Sequence, residues 1–179
     1  MDPDAFARAV SATEPDWTRE TPRAVWDPGR RLLRTIRRHA AARAARNPLR
    51  RATAPWWALW HRVWSVVTQC DIPLGTRIGG GLMLPHPTGI VIHPESRIGP
   101  NCLIFQQVTL AGPVRLGGHC DLGAGAKLMG PLRLGDHVQV GANAVVTRDA
   151  GDGAVLAGIP ARDIAARAGD DVTGGRDSA

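Results

Sequence analysis

The chain has 179 residues, 44% of them hydrophobic, which leaves room for one domain with a packed core plus an arm. Three cysteines do not make a disulfide framework, and no stretch approaches 18 apolar residues. The acidic opening Met1-Asp-Pro-Asp4 lacks the basic and apolar regions of a secretory signal, so a soluble cytoplasmic protein without membrane attachment is expected. The formal net charge of +6 is uneven: residues 1–70 hold 13 arginines against 6 acids, residues 71–165 hold 7 bases against 7 acids, and residues 166–179 carry −1.

Residues 1–28 mix proline, acid and threonine without a period and read as a loose lead-in. A helical arm follows over 29–69. Its first helix, 29–46, puts Leu32, Leu33, Ile36 and Ala40 on one face with arginines opposite. It should stop at Asn47-Pro48, because proline disfavours helical geometry at the residue before it. A second helix is predicted from about Pro55, a suitable first helical residue, to Thr68. Its stripe of Trp56, Trp60, Val63, Trp64 and Val67 should pack on the first helix, on an open coil end or on a neighbouring subunit. The nine arginines between Arg30 and Arg51 carry the charge excess. They read as a solvated helix face, with a nucleic-acid or anionic-lipid surface as the weaker reading.

From Ile72 onward an aliphatic residue recurs at every sixth position: Ile72, Ile78, Leu84 and Ile90, then Ile98 and each sixth residue to Val146. One step, Ile90 to Ile98, is eight residues long. Four places after the aliphatic beat the residue is mostly small or aliphatic, as in Thr76, Cys102, Val108, Cys120, Ala126 and Ala144. A period of six fits neither a helix nor a lone strand. It marks a parallel β-helix of hexapeptide repeats, three short strands to a triangular coil of about 18 residues. The expected fold is therefore mainly β, with the β-helix over 70–165 and a disordered tail over 166–179.

The period breaks in Leu84-Pro-His-Pro-Thr-Gly-Ile-Val-Ile-His-Pro94, and sequence rules tend to fail where function overrides them. His86 lies inside the break between two prolines that stiffen its backbone. Histidine titrates near neutral pH and can take a proton from a hydroxyl. Asp71, fifteen residues earlier, should lie about one floor away, roughly 4.8 Å, where it could orient the imidazole. The pair also reads as a turn histidine in water and an aspartate capping the first coil. His119 and His137 are 18 residues apart at an outward corner, and no third ligand keeps their column, so no metal site is expected. Cys102 and Cys120, also 18 apart, read as small corner-fillers. Ala124 and Ala142 stack likewise, and leave backbone groups approachable to an extended amide-bearing ligand, or are small only because the corner is tight.

Taken together, these residues resemble the serine O-acetyltransferase branch of the hexapeptide acyltransferases. The resemblance rests on Asp71-Ile-Pro, Ile78-Gly-Gly-Gly81, His86-Pro-Thr-Gly-Ile-Val91, Gln107-Val-Thr-Leu110, Leu122-Gly-Ala-Gly-Ala-Lys127, Gly141-Ala-Asn-Ala-Val-Val146 and Gly158-Ile-Pro-Ala-Arg162, in order, over about 70–165. It implies a left-handed parallel β-helix with an N-terminal α-helical arm, and acetyl-CoA as co-substrate. It casts His86 as general base and Asp71 as its partner. Ala124 and Ala142 match positions that contact coenzyme A through the backbone, Gly112 matches a glycine near the thioester, and Arg148 or Arg162 would meet phosphates. A homotrimer is implied, and a dimer of trimers is compatible with it.

The chain also departs from that pattern. Pro85 replaces the aspartate before the base, and the loop that supplies an Arg-His pair for the serine carboxylate is cut to Ala111-Gly-Pro-Val114. The arm is short, and the sequence ends Arg176-Asp-Ser-Ala179 without the isoleucine that docks into cysteine synthase. The resemblance thus points to direct acetyl transfer from acetyl-CoA to the hydroxyl of L-serine, in cysteine biosynthesis. The same chemistry on another small hydroxyl compound is the close alternative. A non-catalytic trimeric scaffold with a basic arm and a metal-dependent lyase are the readings from other classes.

Overall fold

A side chain that recurs every sixth residue can always face inward only if the chain turns a corner every six residues, and it does. In the computed structural model, which describes residues 10–165, short strands stack into three parallel sheets. The first face holds β1 (Arg77–Ile78), β3 (Arg97–Ile98), β6 (Val114–Leu116) and β9 (Leu132–Leu134). The second holds β4 (Leu103–Ile104), β7 (Asp121–Leu122), β10 (Gln139–Val140) and β12 (Val155–Gly158), with β13 (Ala161–Asp163) added antiparallel. The third holds β2 (Val91–Ile92), β5 (Thr109–Ala111), β8 (Lys127–Met129) and β11 (Val145–Val146). The result is a left-handed β-helix of triangular section behind a helical arm.

Faces one and two meet at a first edge, two and three at a second, three and one at a third. The first edge turns through left-handed backbone at Gly81, Asn101, His119, His137 and Gly153, the second at Gly89, Gln107, Gly125 and Asn143. Glycine and asparagine enter that region most easily, which accounts for much of the residue choice at these corners. The interior is a stack of buried aliphatic side chains, with Leu110, Leu122 and Leu128 at 1% exposure or less. Burying each such side chain contributes roughly 1.5–3 kcal/mol. Cys102, Val108, Cys120, Ala126 and Ala144 fill the corners as expected. Cys102 and Cys120 are free thiols in the core. The neighbouring Cys120 thiol, then burial, pushes the Cys102 thiol well above its ordinary range.

One part of the expected register is corrected. Arg77 pairs with Arg97, Met83 with Leu103 and Asp71 with Val91, each twenty residues on, while Val91 pairs with Thr109 at eighteen. The two extra residues therefore lie between Leu84 and Ile92. Ile92 takes the interior beat beside Leu110, and Ile90 is a corner-filler above Val108. Both isoleucines are buried, at 2% and 0% exposure, so alternation alone could not choose between them.

Helix α1 (Pro28–Ala44) covers the upper end of the coil. Leu32, Leu33 and Ile36 join the core beside Cys70, Ile72, Leu82 and Leu84, whereas Ala40 is exposed and Thr35 and Ala42 take buried places. Gly29 is required there, because a Cβ on it would sit 2.2 Å from the Leu84 carbonyl oxygen. A short turn, α2 (Pro48–Arg51), capped by the Asn47 side chain, leads to α3 (Ala54–Thr68). Of the α3 stripe, Trp64 packs on the core, while Trp56, Trp60, Val63 and Val67 remain exposed.

The lead-in, read as loose, is fastened from residue 11 onward. Asn101 receives the Asp16 N–H at 2.8 Å and donates to the carbonyls of Ser11 and Glu14 at 2.7 and 2.8 Å. Buried Glu20 is gripped by Arg37 in a two-point contact of 2.7 and 3.0 Å, and accepts the main-chain N–H groups of Gly81 and Leu82. Arg37 also donates to the Ile78 and Gly79 carbonyls. These are long-range polar contacts, invisible to any local period. The expected tail, 166–179, lies outside the described residues.

Candidate functional site

The two inserted residues widen the head of the second edge. Lower coils turn this edge in four residues, 105–108, 123–126 and 141–144, and the top coil needs six. The extra chain forms a ledge carrying His86. Its exposed imidazole lies over Phe105 of the next coil, with ring centroids 6.5 Å apart and planes at 28°. The ledge is pinned from both sides. Thr88 N–H donates to the His86 carbonyl at 2.8 Å, Gly89 N–H to Gln69 at 3.2 Å, and Gln107 N–H to Thr88 at 2.8 Å.

Asp71 stands at the root of this ledge. Its N–H donates to the Ile90 carbonyl at 2.8 Å, and its carbonyl accepts Ile92 N–H at 2.9 Å. The carboxylate is exposed, and among the described residues no hydrogen bond joins it to His86. His61 of α3 approaches the same root, with Nε2 2.9 Å from the Ile72 carbonyl oxygen. Burial lowers the His61 pKa against the opposing pull of that carbonyl and of Asp71.

Below His86 the second edge is a backbone column. Gly125 N–H donates to Gln106 O at 2.9 Å and Asn143 N–H to Ala124 O at 2.8 Å, repeating the Gln107–Thr88 bond coil by coil. Ala124 and Ala142 therefore lie on the edge headed by His86, Ala124 half-buried and Ala142 exposed. Lys127 closes over the column by donating to the Gln107 carbonyl.

Gly112 and Arg148 are elsewhere, on the third edge, two coils apart in one column. Gly112 has φ +90°, and its carbonyl accepts the Ser96 hydroxyl at 3.3 Å. Arg162 is exposed on β13 at the foot of the second face. One chain thus brings His86, Asp71, Ala124 and Ala142 to a single edge and leaves Gly112 and Arg148 a full sheet-width away.

His119 and His137 occupy the first edge, with Nδ1 atoms 2.8 Å apart. Burial lowers the His119 pKa. Among the described residues no three His, Cys, Asp or Glu side chains gather as metal ligands. Nor is any helix among them long and apolar enough to cross a membrane.

A ladder on the first face is not among the expected site residues. Arg77, Arg97, Arg115 and Arg133 pair in register, all exposed, and none makes an ion pair among the described residues. A groove of about 420 Å³ runs beside the upper three, with Glu95 as its lone acid. The signal was present: each arginine immediately precedes an inward beat, so it must point outward.

No protein-family model matches the chain. It is 42% identical over 77 residues to a probable serine acetyltransferase 3 of Oryza sativa subsp. japonica, a stretch covering 43% of this chain and 25% of that protein. Among solved structures, a serine acetyltransferase in complex with CoA superimposes with a TM-score of 0.65 at 29% identity, covering 77% of this chain and 57% of that one. The Neisseria gonorrhoeae serine acetyltransferase in complex with serine gives 0.64 at 28% identity, covering 77% and 57%. The chain spans a quarter of the rice protein and a little over half of these solved chains. The coil is thus similar in sequence to serine acetyltransferases over 77 residues, and similar in backbone to solved serine acetyltransferases over about three quarters of the chain.

Proposed function

We propose that this protein is an acetyl-CoA-dependent O-acetyltransferase acting on a small hydroxyl acceptor, L-serine foremost, by direct transfer. The observation that carries the reading is the position of His86: on a pinned ledge at the head of the edge whose lower coils present Ala124 and Ala142. The similar solved chains include one holding CoA and one holding serine. Acetyl-CoA would lie along that edge through amide contacts to its backbone, with its thioester uppermost.

His86 takes the acceptor hydroxyl proton as the oxygen attacks the thioester carbonyl carbon. The tetrahedral oxyanion collapses, the C–S bond breaks, and the proton on the imidazolium passes to the sulfur, releasing free CoA. Asp71, one strand from the ledge, favours the transient imidazolium through its charge. No acyl-enzyme is needed, and the buried Cys102 and Cys120 take no part.

Gly112 near the thioester and Arg148 near the phosphates fit this scheme only if the third edge of a second copy faces the second edge of the first. The split of these residues over two edges therefore supports a homotrimer, in which each groove is made by two chains. Arg162, at the foot of the second face, is the same-chain candidate for a phosphate contact.

The experiment is thiol release from acetyl-CoA with and without L-serine, in wild type and His86→Ala. Serine-dependent release, falling by about 10²–10⁴ in the variant, is expected. No release with serine or other hydroxyl compounds sinks the reading.

A further inference from the structure

Beside the ledge, on the second face, lies a pocket of about 220 Å³ lined by Arg19, Arg30, Met83, Leu84 and Pro85. Pro85, the residue before His86, forms part of its wall, so the pocket reaches the start of the ledge. Two guanidinium groups and no acid line it. They are not equivalent. Arg30 is neutralised by Asp27 at 3.0 Å and spends its Nε–H on the Arg19 carbonyl. Arg19 donates one Nη1–H to the Asn101 carbonyl at 2.7 Å and has no ion-pair partner among the described residues. Asp16 and Asp121 act on its charge only from a distance, and burial works against that charge. A planar fork with most of its five donors unspent, held half-buried in a small cavity, is built to take a carboxylate. The remaining wall, Met83, Leu84 and Pro85, supplies apolar contact and no further polar specificity. The volume is below that of a pocket for a drug-sized ligand, and suits a molecule of a few heavy atoms.

We infer that Arg19, brought by the N-terminal lead-in, is the acceptor-carboxylate site, so that the acceptor is a small hydroxy acid or hydroxy amino acid and not a neutral sugar. This rests on the acetyl-transfer reading of His86 and narrows its substrate class. Arg19 is a specificity-determining residue, and its position depends on the fastening of residues 11–20 to Asn101.

The test compares L-serine with serinol, which keeps the hydroxyl and ammonium and has a second hydroxymethyl group in place of the carboxylate. Wild type is expected to favour L-serine by about 10- to 100-fold in kcat/KM for thiol release, the range for charge-assisted hydrogen bonds. Arg19→Gln should bring the ratio close to one. A loosened lead-in alone would lower both rates and leave the ratio, so an unchanged ratio in Arg19→Gln overturns the inference, as does a wild type that uses serinol equally. Titration calorimetry of the full chain with L-serine and with serinol reads the pocket without turnover. Serine binding lost in Arg19→Gln, with no thiol released by wild type, keeps the pocket and removes the acetyl-transfer reading. Thiol release with serinol matching L-serine, and no preference in calorimetry, does the reverse.

Discussion

Asp71 is paired with Val91 across the third face, twenty residues along the chain, whereas Val91 itself reaches Thr109 in eighteen. The surplus is the ledge that carries His86. Removing two residues from 85–90 should restore an eighteen-residue coil with a tight corner, leave the thermal midpoint within a few degrees, and abolish thiol release. Activity surviving that deletion would separate His86 from the chemistry.

Asp71→Asn keeps the backbone bridge and removes only the charge. Because no hydrogen bond ties it to the ring, its loss should lower kcat by about ten- to a hundredfold, less than the loss of His86. Steady-state kinetics of the two variants at one pH decide the order.

Glu20 and Arg37 clamp the lead-in to the first coil. Glu20→Ala leaves the part-buried Arg37 guanidinium with its two carbonyl contacts but no counter-charge, and two main-chain N–H groups without acceptors, which should cost about 3–5 kcal/mol in urea unfolding. In the double variant with Arg37→Ala the loss should fall well short of the sum of the single losses. Full additivity would mean the two side chains act independently.

The arginine ladder predicts the opposite sign. Like charges directly opposite on a sheet repel, so Arg97→Gln should be neutral or stabilising by about 0.2–1 kcal/mol at low salt. Added salt should erase the difference, because the charges are exposed. Chemical denaturation at two ionic strengths measures both effects, and marked destabilisation would show that the ladder makes contacts of its own.

The histidines set an acid-side dependence. Burial lowers the pKa of His61 and of His119 below the ordinary 6.5, so the unfolded chain binds protons that the folded chain refuses. Stability should therefore be fully present above about pH 6.5 and decline as the pH falls below it. His61→Gln should flatten part of that slope in melting curves taken from pH 7.5 to 5, and an unchanged slope would assign it to other groups.

The sequence alone determined the coil. A six-residue beat of aliphatic side chains, with small residues at the corners, has one economical way to bury itself, and that way needs no knowledge of distant contacts. The break in the period was equally legible, and His86, the proposed base, falls inside it. The period could not say which isoleucine, Ile90 or Ile92, keeps the beat, because both are apolar and two apart. It could not show that Gly112 and Arg148 lie on a different edge from Ala124 and Ala142, which depends on counting corners correctly from the break. Least legible was the lead-in: Asn101, Glu20 and Arg37 join segments up to 90 residues apart through single polar side chains, and such contacts leave no period. Only the folded chain brings Arg19 beside Pro85, because that meeting is a product of packing between a strap and a coil that share no local pattern.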